Sequence, residues 1–155
     1  ATLPLTENVM TEHTREQALN IRSPEDWPSE RWPNFTWEEF SCKHTKECIV
    51  DPEFMDEIQA IRNELCDYMT ISSGYRHPDH PDEQNKREPG GHSRALAVDI
   101  KCYGMTAFLI TQIALRRGNI LGIGISQAGP RDKRFLHLDM KPSTHLGPRP
   151  WIWSY

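Results

Sequence analysis

The longest helical period in the chain lies in "DPEFMDEIQAIRNELCDYM", where Phe54, Ile58, Ile61 and Leu65 fall on one face. Asp51 is placed to cap this helix, and Pro52 suits its first turn. A second amphipathic stretch, "TAFLITQIALRRG", predicts a helix capped by Thr106 and ended by Gly118. Alternating stretches lie around it. "TISSGYR" predicts a strand, and a polar loop from His77 to Gly91 follows. "ALAVDIKC" puts Ala95, Ala97 and Asp99 on one face and Leu96, Val98 and Ile100 on the other. "ILGIGIS" and "RFLHLDM" predict two more strands, separated by the turn-rich "QAGPRDK". In "NFTWEEFSC", Thr36 and Glu39 have the spacing of a capping box, which predicts a short helical turn. The order of elements predicts an α+β domain, a small and mainly antiparallel sheet with helices on one side.

Residues 1–33 carry no sustained period, and several prolines interrupt them. They are expected to form an extended arm, wrapped on the domain or used for virion or self-assembly contacts, with residues 34–155 as the domain proper. Its tail is aromatic, with Trp151, Trp153 and Tyr155.

At 155 residues one domain is expected, with a core that needs no disulfide staples. The net charge of -4, with both signs interspersed, gives no basic footprint for nucleic acid. No apolar run reaches the roughly 20 residues of a membrane span. The first residues, "ATLPLTENVMTEHTREQ", lack the basic-then-apolar order of a secretory leader. Cys42, Cys48, Cys66 and Cys102 match no zinc-finger spacing and are read as free thiols, with a Cys42–Cys48 bridge as the alternative. His77, His80 and His145 are read as solvated loop residues.

Two polar positions stand out against this pattern. In "RFLHLDM", His137 and Asp139 leave the same face of a strand whose Leu136 and Leu138 point into the core. Burying either unpaired would cost about 1–3 kcal/mol. His92 and Asp99, in "GGHSRALAVD", add a second imidazole and a second carboxylate. Catalytic zinc is typically held by three such side chains, with the fourth position left to water. A remaining carboxylate or histidine then serves as base. The bland alternative is a hydrogen-bonded His-Asp pair beside a loop histidine, and each piece alone favours it.

Taken together, "FTWEEFSCK", "SSGYR", an Asn in the polar loop, "GGHSRALAVDI", "GIGIS" and "FLHLDM" resemble successive motifs of the zinc D-Ala-D-Ala carboxypeptidase family, peptidase family M15. The resemblance runs from about Phe35 to Met140 and is nearest to compact peptidases of bacteriophages and bacteria, endolysins among them. It implies the zinc fold shared with hedgehog domains and a peptidase acting on peptidoglycan stem peptides or cross-links, at the cell wall or periplasm. It implies that His92 and Asp99 bind zinc and that Arg76 holds substrate, aided by Tyr75 and Asn85. The last pair has two alignments. By position Asp139 is the ligand and His137 the helper; by chemistry His137 is the ligand and Asp139 the catalytic base, which is the reading adopted. Three positions depart from the family pattern: Gly90 replaces a Ser, Ala95 replaces a Gly, and Arg134 stands where some relatives carry an acid. Ala95 adds a methyl where close approach or a positive φ is expected. The competing expectation is a non-catalytic, zinc-containing structural or cell-wall-binding module of a phage particle.

Overall fold

The computed structural model describes residues 6–8 and 13–155. Among them are three α-helices and two sheets, an α+β arrangement. The smaller sheet holds β1 (Thr6–Asn8), β2 (Leu19–Ile21) and β3 (Ile49–Val50) in antiparallel order. Between β2 and β3 lies the one-turn helix α1 (Trp37–Phe40). Thr36 and Glu39 close the expected capping box on it. The same Glu39 accepts a hydrogen bond from the Ile71 backbone N–H at 3.3 Å, which ties α1 to the larger sheet.

Helix α2 (Pro52–Leu65) starts at the expected place, with the Asp51 carboxylate accepting from the N–H groups of Glu53 and Phe54. The larger sheet has the order β4 (Thr70–Ser73), β5 (Ala97–Lys101), β7 (Phe135–Asp139), β6 (Gly122–Ser126) and β8 (Trp151–Ser154). Its pairings are antiparallel except for β6 with β8, which run parallel. Helix α3 (Gly104–Arg117) joins β5 to β6 and ends at Gly118, as expected. Its start lies earlier than expected. Gly104 is the first helical residue, preceded by Tyr103, so Thr106 sits inside the helix rather than capping it. The backbone bond from Ala107 N–H to Tyr103 C=O closes that first turn.

Strand alternation separates core from site. Val98 and Ile100, Leu136 and Leu138, and Ile123 form one apolar cluster with Ile58 and Ile61 of α2 and Ile110, Ile113 and Ala114 of α3. The alternate residues, Asp99, His137 and Asp139 among them, leave the opposite face. Asp99 faces His137 across β5 and β7, and His137 faces Gly124 across β7 and β6.

The segment from Ala18 to Pro33 packs into the domain. Ile21, Trp27 and Trp32 belong to the main apolar cluster, and Trp32 is fully buried. Its indole N–H donates to Asp56 on α2 at 2.9 Å, and Trp27 lies against it with ring centroids 5.5 Å apart. Large aromatic area outweighed the missing period here. Residues 1–5 and 9–12 of the expected arm lie outside the described residues. The aromatic tail is likewise an element, the edge strand β8. All four cysteines are free thiols, with no Cys42–Cys48 bridge. No helix among the described residues is long and apolar enough to cross a membrane.

Candidate metal centre

His92 reaches the site from the tight turns after Gly91, while Asp99 and His137 sit at the middle of β5 and β7 as cross-strand partners. One donor atom from each lies within 4.8 Å of the others. The ring nitrogens that point away are occupied. His92 Nδ1 is 2.7 Å from the Gly74 carbonyl, which can only accept, so this nitrogen carries the proton. His137 Nε2 is 2.7 Å from Asp139 Oδ2 and donates to that carboxylate in the same way. The inward atoms are therefore His92 Nε2, 3.4 Å from Asp99 Oδ1, and His137 Nδ1, 3.2 Å from the same oxygen. Three lone pairs aimed at one point repel unless a proton or a metal ion lies between them. The donor set, two imidazoles and a carboxylate, suits zinc.

Electrostatics acts on the two rings in opposite directions. Burial pushes the His92 imidazole down from its ordinary value, which keeps it neutral. For His137 burial also acts downward, but the carboxylates of Asp139 and Asp99 outweigh it and raise its affinity for a proton. Asp99 is pushed up by burial and, more strongly, down by its contacts with the His137 and His92 rings, so it stays ionised. Its second oxygen accepts from Arg76 Nη2 at 3.1 Å.

Arg76 lines the cleft over this triad but is heavily engaged. Besides Asp99 it donates to Ser73 Oγ at 3.1 Å and to Glu83 at 3.4 Å, which leaves two of the five guanidinium N–H groups for a ligand. Asp139 does not have the exposure expected of a base. It is fully buried, and beyond His137 it accepts from Lys141 N–H at 3.1 Å and from Arg149 through both oxygens, at 3.0 and 2.9 Å. Burial pushes its carboxyl up, yet the hydrogen bonds from His137 and Arg149 prevail and leave it lowered to about 2. Two sequence-based substrate contacts are not in the cleft. Tyr75 is 4% exposed and packs in a second apolar cluster with Ala18, Cys42, Ile49 and Ala95, because the residue next to Arg76 in extended chain points the other way. Asn85 is an exposed loop residue outside the cleft lining.

The cleft, about 420 Å³, is bounded by Arg76, Asp82 and Lys86 on one side and by Phe135, Trp153 and Tyr155 on the other. The long loop is ordered around Glu83, a buried carboxylate that accepts from Arg76, Lys86 and Ser93. Glu83, Lys141 and Arg149 were not singled out by sequence, and Trp153 only as part of an aromatic tail, since each gains its place only when distant elements meet. A larger hollow of about 650 Å³ beyond the end of β5 shares no lining residue with the cleft and contains no histidine. Arg134, the departure from the acid of some relatives, lines that hollow instead. His145 is exposed, and His80 lies against His44 with ring centroids 6.0 Å apart, away from the triad's cleft.

The family model of peptidase M15 matches residues 33–139, a span that contains His92, Asp99 and His137. The chain belongs to this family and is an enzyme of the metallopeptidase type, with a peptide as substrate. No curated protein and no solved structure matches the chain.

Proposed function

We propose that the protein is a zinc-dependent peptidase that hydrolyses peptide bonds of bacterial peptidoglycan stem peptides or cross-links. The observation that carries this reading is the convergence of His92 Nε2, Asp99 Oδ1 and His137 Nδ1 while the outer ring nitrogens are held by Gly74 and Asp139. In it His92, Asp99 and His137 hold the zinc, and zinc supplies polarisation of the scissile carbonyl and acidification of water. The fit to the donor chemistry supports His137, rather than Asp139, as the third ligand. Asp139 then positions the His137 ring, as outer carboxylates do for metal-bound histidines.

The remaining roles fall to the cleft. Arg76 fixes the Asp99 carboxylate and offers its two spare N–H groups to a substrate carboxylate or carbonyl oxygen. Asp82 is the carboxylate that lines the cleft outside the ligand set, and it is the group available to hold a proton as the peptide bond breaks. Phe135, Trp153 and Tyr155 give the opposite wall an apolar surface for the substrate's side chains.

Metal content of the purified protein, measured for wild type beside His92→Ala and Asp99→Asn, tests the reading. About one zinc per wild-type chain is expected, lost in both variants, together with hydrolysis of purified muropeptides by wild type alone. Folded wild-type protein that is free of zinc and indistinguishable from the variants would overturn it.

A further inference from the structure

The pair that orients the metal-facing ring is itself held from outside the span of the family match. After Asp139 the chain loops back and returns as β8, parallel to β6, with Gly124 paired to Trp153 and Gly122 to Trp151. From the start of this segment Arg149 extends its guanidinium over β6. Nε donates to Asp139 Oδ1 at 3.0 Å and Nη2 to Oδ2 at 2.9 Å, a two-pronged contact with a carboxylate that has no solvent access. Trp153 lies between the two functions. Its ring centroid is 5.2 Å from that of His137, and the Arg149 guanidinium carbon stands 5.1 Å from the same ring.

The intervening strand is shaped for this. A Cβ on Gly122 would fall inside the envelope of both Asp139 carboxylate oxygens and 2.5 Å from Arg149 Nε. A Cβ on Gly124 would lie 2.7 to 2.8 Å from the Trp153 indole ring. Real Cβ atoms essentially never come so close to a neighbour, so both positions call for glycine for space rather than for backbone freedom. The two glycines of "GIGIS" thus form a gap that lets Arg149 and Trp153 reach β7.

We propose that the segment 149–155 is a working part of the metal centre: Arg149 and Trp153 are positioning residues that fix the Asp139–His137 pair across the Gly122–Gly124 gap. They set the geometry, and with it the affinity, of the third ligand. The inference rests on the zinc reading above. A merely structural edge strand, stitched on by one buried ion pair, is the competing account. That account predicts loss of stability with no change at the metal.

The two accounts separate on measurements made at the metal itself. Zinc dissociation constants come from competition with a chromophoric chelator, and ligand geometry from the visible absorption of the cobalt(II)-substituted protein. Both are followed in Arg149→Gln, Arg149→Lys, Trp153→Ala, Gly124→Ala and the Gly124→Ala/Trp153→Ala double variant, with circular dichroism of each metal-free form as the folding control. Arg149→Gln is expected to weaken zinc binding about 10- to 100-fold and to change the cobalt spectrum, the range seen when outer partners of metal ligands are removed. Arg149→Lys, which keeps the charge but not the fork, recovers part of the loss. Gly124→Ala weakens binding in the wild-type background by displacing the indole, and adds nothing once Trp153 is alanine.

Folded variants that keep the wild-type dissociation constant and cobalt spectrum overturn the inference while leaving the zinc reading intact. Additive effects of Gly124→Ala and Trp153→Ala overturn the role given to the indole. Wild-type protein that takes up neither metal overturns the zinc reading, and this inference with it.

Discussion

Asp139 shows how one side chain can be found by sequence while its surroundings stay hidden. Its place on the strand, two residues after His137, is plain from alternation alone. Its availability is not, because that depends on Arg149, ten positions later in the bend that leads into β8. A carboxylate held at about 2, against an ordinary 3.8, favours the folded state whenever the pH is above the ordinary value. The contribution is lost as the pH falls from about 4 through 2, and its size is about 2 kcal/mol. Urea unfolding of the metal-free protein between pH 2 and 5 is expected to show that acid limb, and Arg149→Gln to flatten it. Ala95 is a second case. The left-handed backbone anticipated at this position is present, with φ of 60°, and the methyl is buried among Tyr75, Cys42 and Ile49. Burial of one methyl is worth about 0.8 kcal/mol, of the same order as the 1–2 kcal/mol that positive φ costs. The buried methyl therefore offsets part of the backbone cost of alanine there.

Among the elements, those with a strong period were legible, and those held by single large residues were not. Helix α2, the bodies of β5, β6 and β7, the Thr36–Glu39 cap and the Gly118 stop follow from spacing. β2, β3 and β8 have two to four residues each, too short for a period to register. What fixes the segment before α1 is Trp32, fully buried against α2. Trp32→Ala is expected to destabilise the protein by about 3–5 kcal/mol, the cost of emptying a large aromatic site. Surface arms tolerate substitution within about 0.5 kcal/mol, so denaturant unfolding of this one variant separates a core segment from a detachable arm.

For the whole molecule, the decisive feature is that one sheet serves two purposes on opposite faces. Helices α2 and α3 cover the face of Val98, Ile100, Leu136 and Leu138, and the cleft occupies the other. The convergent trio His92, Asp99 and His137 was legible because its members sit on well-patterned strands and one Gly-rich turn. The cleft walls could not, since they come from a loop folded around Glu83 and from the edge strand. With the core on the far side, site substitutions should leave the apo fold in place and act through the metal. Thermal unfolding with zinc at about 1,000 times its dissociation constant is expected to stabilise wild type by about 4 kcal/mol, roughly 10 °C, and to leave Asp99→Asn unmoved.

The straight row from Ser73 through Asp99, His137 and Gly124 to Trp153 has a consequence for assembly of the chain. A slip of one residue in β7 would turn His137 and Asp139 into the apolar layer and Leu136 and Leu138 out to water. It would also set a leucine against the glycine gap that Arg149 and Trp153 need. Wrong pairings therefore lose core and site together, so the polar row acts as a key that admits one alignment of the five strands.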